Sequence, residues 1–429
     1  MVAQVSFMRT ANKVPAPADG TVLFVGHFAA YVVILALATV GQSGLLKLLA
    51  NVYAVVIFGL VAFAWMTRSH PPSRWSTAAV IALVIYLAGI ACSLIVNPDR
   101  IEWSDLVKLT LAPAFLVFGA AFERSRGELW PWRKPFVRFL FALLVIAPLV
   151  TWGVQLIENG FQIDNVRETS IFANRNNAAV YAVTLLGLLA VLTGKAVRSV
   201  FLFLAVGVMF GTLGVLLAVL LALVLTVGKW RDVALLAVLI ALGWAGYVLF
   251  PQFGPFARFT PVVDSIRLLM DGSINLRTVT FGQLTLMLHT SDLSFIFRLK
   301  HWVDLWAEFM KADIYHLMFG YGVGSSIRLS EMHLVPHNDY LRYLFEFGVV
   351  TFAAFIGLIV LVMARCGRRW ETVPLLVSVI YLFSENLITN YTAIAFFYFT
   401  AGALSERIAA LKAPATDAAR PSVQVRAQN

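Results

Sequence analysis

Apolar stretches close to the about 20 residues that cross a bilayer recur along this chain at 22–40, 46–66, 77–96, 106–122, 136–157, 176–194, 233–250, 341–364, 372–389 and 391–411. A chain so built has to place most of its backbone in lipid. Its composition agrees, with 60% hydrophobic and 13% charged residues, against about 25% charged in a soluble globular domain. An eleventh run, 199–228, is longer, with Lys195 and Arg198 before it and Lys229 and Arg231 after it. A single crossing would put one basic pair outside, whereas Lys and Arg collect in cytoplasmic loops. Two short spans reversing at Gly211-Thr212-Leu213-Gly214, where two glycines allow a tight turn, keep both pairs inside. The expected fold class is an all-α polytopic integral membrane protein of about 12 transmembrane helices.

Alternate loops carry the basic charge that this topology requires. On the inner side fall Arg68 and Arg74, then Arg124, Arg126, Arg133, Lys134 and Arg138, then the two basic pairs named above, and finally Arg365, Arg368 and Arg369. The opposite loops, 41–44, 97–105, 158–175 and 384–390, are short, and the second holds Asp99, Glu102 and Asp105. Both termini are expected to be cytoplasmic, with Arg9 and Lys13 in a retained leader. The formal net charge of +10 thus belongs to membrane orientation, not to nucleic-acid binding. Cys92 and Cys366 lie in or beside spans, so neither a disulfide framework nor a cysteine metal site is expected.

One segment breaks the rhythm. Residues 251–336 form a long outer loop between the ninth and tenth spans, and loops of that length are usually functional. Helical spacing of Phe297, Trp302, Leu305, Trp306 and Phe309 predicts a helix over 296–310. The expected organisation is a nine-span bundle (1–250), a partly helical periplasmic loop capping the site (251–336), a three-span C-terminal part (337–411) and a disordered cytoplasmic tail (412–429).

His337 ends this loop where an apolar helix begins. Pro336 suits a first-turn position, and Asn338 or Asp339 can cap exposed amides. A helix start favours a bound anion such as phosphate. An imidazole there is either a general base or an interfacial residue that merely caps the helix. A zinc reading lacks paired spacing with a supporting carboxylate, and Pro336 interrupts a helix through His333 and His337. No metal or cofactor is assigned. Glu346 falls deep enough to need a partner, and Arg342, one turn earlier, can supply it. That pair, with Asp339, would support the helix that follows His337. Glu385 could orient an arginine or the histidine. Among the outer arginines, Arg298 and Arg175 stand in dense polar and aromatic contexts, and Arg167 shares a loop with Arg175. Guanidinium forks recognise phosphate bidentately. Asn174 and Asn176, at the entrance to a span, are costly unless they bond backbone or a ligand, and are site candidates on that ground.

Three motifs follow one another on the same predicted face. They are Ser170 through Asn177, with Phe172, Asn174 and Asn176; Arg298 and Trp302 leading to Gly320-Tyr321-Gly322-Val323-Gly324; and His337-Asn338-Asp339-Tyr340-Leu341 followed by Glu346-Phe347-Gly348. In this order they resemble the O-antigen ligase and O-antigen polymerase superfamily, most closely the ligases. The resemblance implies a metal-independent, inverting glycosyltransferase of the bacterial inner membrane, with its active site facing the periplasm. Its implied donor is an undecaprenyl-diphosphate-linked glycan, its acceptor a lipid A-core sugar, and its surroundings membrane lipids. His337 would be the base; Arg298, Arg175 and Arg167 would bind diphosphate, with Asn174 and Asn176 beside them. A polymerase or a protein O-oligosaccharyltransferase is the near alternative, and a lipid-linked glycan flippase or transporter the alternative of another class. One departure stands out: many members carry a Ser-Arg-Gly turn where this chain has Thr212-Leu213-Gly214, so that arginine's contact would have to come from elsewhere.

Overall fold

The computed structural model describes residues 20–66, 74–98, 101–124, 134–160, 170–172, 174–193, 213–226, 229–251, 259–288, 294–367 and 370–412. The expected span at 199–211, the first half of the 211–214 reversal, Arg167 and the C-terminal tail lie outside the described residues. The first part of the chain supplies α1 (Gly20–Val40), α2 (Gly44–Met66), α3 (Arg74–Val96), α4 (Trp103–Leu111), α5 (Ala114–Arg124), α6 (Pro135–Glu158), α7 (Arg175–Thr193), α8 (Leu213–Thr226) and α9 (Trp230–Leu249). Shorter helices follow in the long loop: α10 (Phe259–Met270), α11 (Phe281–Leu288), α12 (Ser294–Phe309), α13 (Ile314–Phe319) and α14 (Ser325–Arg328). The last part holds α15 (Asp339–Cys366), α16 (Val373–Tyr381) and α17 (Tyr391–Lys412).

No strand occurs among the described residues. Four helical segments there are long and apolar enough to cross a membrane: Thr77–Val96, Trp103–Ala120, Pro135–Glu158 and Asp339–Cys366. Large apolar side chains such as Leu45, Ile81, Val150 and Leu242 stand exposed on the bundle's flanks, a surface suited to lipid and not to water. The chain is an all-α, membrane-embedded protein.

Helix contacts rest on small residues. A Cβ on Gly119 would come within 2.2 Å of the Phe399 carbonyl oxygen, and one on Gly402 within 2.0 Å of that of Leu116. Backbone therefore meets backbone where α5 crosses α17, the close approach that small residues permit in lipid.

Three expected spans are subdivided, each for a local reason. The stretch 106–122 becomes α4 and α5, parted at Ala112 and Pro113, because proline cannot donate within a helix. The stretch 372–389 is helical only to Tyr381, after which a turn brings Glu385 to the start of α15. The third, α15, is broken at Gly348, whose φ is 71°. Around this break the carbonyl of Phe345 accepts from the Tyr321 N–H (3.0 Å), and that of Glu346 accepts from the Gly322 N–H (3.0 Å) and the Ser93 hydroxyl (3.0 Å). Gly320, with φ 73°, faces Gly348; a Cβ on Gly320 would lie 2.3 Å from the Glu346 carbonyl carbon, and one on Gly348 2.4 Å from that of Met318. Only glycine satisfies both the left-handed backbone and the contact. The glycine stretch after α13 thus has a mechanical task, docking the long loop on the break in α15.

Candidate functional site

Helix α15 begins later than Pro336 suggested. Asn338 is the N-cap, its Oδ1 accepting from the Leu341 N–H at 3.0 Å. Proline ends instead in an extended lead-in, where its carbonyl accepts from the Trp302 indole N–H at 2.6 Å. Trp302 also meets Phe383 edge-on at 5.2 Å, so α12 clasps both sides of the site. His337 lies between the proline and the cap with φ 49°, a left-handed conformation rare for residues other than glycine. His333 also has positive φ, 52°, so no helix runs through the two histidines.

The turn after α16 supplies the partner of His337. Its Nδ1 lies 2.7 Å from Oε1 of Glu385, whose side chain is fully buried while the imidazole is about one-third exposed, at 36%. Oε2 of Glu385 accepts from the Asn176 carboxamide and lies 3.6 Å from the Arg298 guanidinium. Arg298 also donates to the Ser384 carbonyl at 2.9 Å. Burial opposes ionisation of Glu385, but the His337 hydrogen bond, the Arg298 charge and the Asn176 amide together hold its carboxyl below the ordinary range. An ionised Glu385 fixes the proton of a neutral imidazole on Nδ1, leaving the Nε2 lone pair as acceptor. Among the described residues Nε2 makes no hydrogen bond.

His301, one turn along α12 from Arg298, is a different kind of histidine. Burial pushes its imidazole down to about 4, and its Nε2 has no partner among the described residues. It is neutral at ordinary pH.

The supporting residues form a second, drier layer. Arg342 donates through Nε to Glu346 (3.0 Å), through one terminal nitrogen to Asn386 (2.9 Å) and through the other to Asp105 (2.9 Å). Ser326 donates to the same Glu346 oxygen at 2.5 Å. Asp339 accepts from the Leu387 and Ile388 N–H groups at 2.6 and 3.1 Å, and its own N–H donates to the Leu382 carbonyl at 2.8 Å. These bonds tie the α16–α17 turn, which carries Glu385, to the first two turns of α15.

The asparagines differ from expectation. Asn174 caps α7, its Oδ1 accepting from the Asn177 N–H at 2.9 Å, and Asn176 serves Glu385. Asn174 thus meets a free amide at a helix start, where such groups need acceptors, while the Asn176 amide donates to the Glu385 carboxylate. Arg175 opens α7, directly before Asn176, whose carboxamide reaches Glu385. The spacing of Arg342 and Glu346 is visible in the sequence, whereas Asp105, Asn386, Ser326 and the central place of Glu385 arise only by folding. The half-exposed imidazole backed by a carboxylate, beside a guanidinium with unused donors, can take a proton and hold an anion. Comparison with known proteins gives no match, either to a family model or to a curated sequence.

Proposed function

We propose that this chain is an inverting, metal-independent glycosyltransferase that moves O-antigen polysaccharide from undecaprenyl diphosphate to a lipid A-core sugar. The observation that carries the reading is the convergence of His337, Glu385 and Arg298. In the reaction, His337 Nε2 takes the proton of the acceptor hydroxyl as its oxygen attacks the anomeric carbon. The bond from that carbon to the diphosphate oxygen breaks, and the leaving diphosphate takes the electron pair. A diphosphate is already a good leaving group, so the protein's share is deprotonation and charge neutralisation. Arg298 supplies the charge, and Arg175, the chain neighbour of Asn176, is the second candidate for that task. Glu385 holds the imidazole in the tautomer the step needs, as the carboxylate does in a serine-protease triad. The resemblance of the three motif segments to O-antigen ligases supports the choice of donor and acceptor.

The direct test uses purified protein, a lipid-linked glycan and either lipid A-core or a second lipid-linked glycan as acceptor. A ligase modifies lipid A-core; growth of the lipid-linked glycan alone would make the chain a polymerase. Arg298→Ala should lower transfer more than Arg298→Lys, because lysine keeps the charge and loses the fork. A charged hydrogen bond contributes about 1.5–3 kcal/mol, so the alanine variant should lose about one to two decades in rate. Unchanged transfer by Arg298→Ala would reduce Arg298 to a structural anchor.

The same reading sets the topology: about 12 spans, with His337 on the periplasmic face. In a background free of Cys92 and Cys366, Ser273→Cys should react with an impermeant thiol reagent on intact spheroplasts, and Lys229→Cys only after lysis. Both positions are exposed on the protein. The reverse pattern would separate His337 from any exported glycan and remove the proposal.

A further inference from the structure

A groove of about 820 Å³ opens on the flank formed by α1, α2, α4, α7 and α17. One wall is apolar and faces outward, with Val52, Val55 and Trp103 at 54%, 49% and 65% exposure. The rest of its lining is amide-rich: the exposed Asn51 with Asn177, Asn386 and Asn390, together with Thr389 and a single charged side chain, Lys108. Two of these groups lack what they need. The Oδ1 of Asn177 is buried without a hydrogen-bond partner. Asn51, seven residues into the apolar helix α2 and about 10 Å along it, makes no side-chain hydrogen bond among the described residues. Unsatisfied amides beside lipid are costly, so the groove calls for an occupant with both a polar head and an apolar body.

We propose that this groove binds an anionic, hydroxyl-bearing phospholipid of the phosphatidylglycerol type, at a site separate from the His337 centre. Lys108, which also pairs with Asp105 at 3.3 Å, meets the phosphate. The carboxamides of Asn51 and Asn177 meet the glycerol hydroxyls, and the acyl chains lie over Val52, Val55 and Val107. An ethanolamine or choline head would bring a second cation toward Lys108 and is disfavoured. The groove and the His337 centre share a wall: Asn177 follows Asn176, and Asn386 follows Glu385, so each pair turns one side chain to the groove and one to the site. A lipid seated there braces the segments that hold the Glu385 carboxylate.

The test does not depend on the transfer reaction. The full-length protein is reconstituted in vesicles of equal dioleoyl phosphatidylglycerol and dioleoyl phosphatidylethanolamine, extracted in mild detergent, and its retained lipid measured by native mass spectrometry. Wild type should retain phosphatidylglycerol in preference by about fivefold or more, the size of one lysine–phosphate contact near a membrane surface. Lys108→Gln and Asn51→Leu, on two different helices at partly or fully exposed positions, should each bring that preference close to parity, and excess soluble glycerol phosphate should not displace the lipid. Equal retention of both lipids by wild type, or an unchanged preference in both variants, would overturn the proposal. Displacement by glycerol phosphate would do so as well, since it would mark a site for a free phosphate ester.

Discussion

A His337→Ala protein should be made in normal amount and transfer glycan about 10²–10⁴-fold more slowly, the usual cost of losing a general base. Little packing is lost, because the imidazole is about one-third exposed and its side-chain hydrogen bond among the described residues is to Glu385. Alanine is poorly suited to a φ of 49°, so His337→Asn is the better matched variant, asparagine being tolerant of that backbone. It should be equally inactive. Glu385→Gln should approach the same loss. Its amide would donate to Nδ1 and drive the imidazole proton onto Nε2, the position that has to accept. Glu385 is held below the ordinary carboxylate range, so the carboxylate that orients the imidazole stays ionised on mild acidification. Full transfer by an equally abundant His337→Asn protein would exclude His337 as the base.

Arg342→Met should produce the largest loss of stability, about 3–5 kcal/mol, because it takes the paired cation from the buried Glu346 carboxylate. Arg342 is 1% exposed and Glu346 fully buried, and one Glu346 oxygen already has no partner. With the guanidinium gone, that carboxylate loses its counter-charge, while Asp105 keeps Lys108. Adding Glu346→Gln removes the uncompensated charge and should recover part of the loss. Thermal unfolding of the purified variants in one detergent measures both. Equal melting of the single and double variants would mean that packing, and not charge, governs this region.

The parts of this structure that were legible in the sequence are those set by local spacing. Apolar runs mark the helices, because a span has to match the bilayer. The stripe from Phe297 to Phe309 marks α12, and the four-residue separation of Arg342 and Glu346 places both on one face. The breaks at Gly348 and after Tyr381 were not legible. A glycine inside an apolar run reads as tolerated until another backbone, here that of Gly320, is seen pressed against it. Glu385 reads from the sequence as able to orient an arginine or the histidine; that it meets both at once, and Asn176 with them, was hidden for a similar reason. Glu385 meets His337, Arg298 and Asn176 from positions 48, 87 and 209 residues away, and no periodicity in one sequence encodes such distances. The asparagines were read as ligands for substrate because amides at a span entrance need partners; the partners turned out to be a helix end and a carboxylate.

Glu385 is also the last of its group in chain order. Asn176, Arg298 and His337 are all synthesised before the residue that joins them, so a nascent chain halted between His337 and the α16–α17 turn has its imidazole but not the carboxylate that meets it. On the proposed function, competence therefore arrives late in biogenesis, and a product truncated between His337 and Glu385 should be silent even though it retains the histidine.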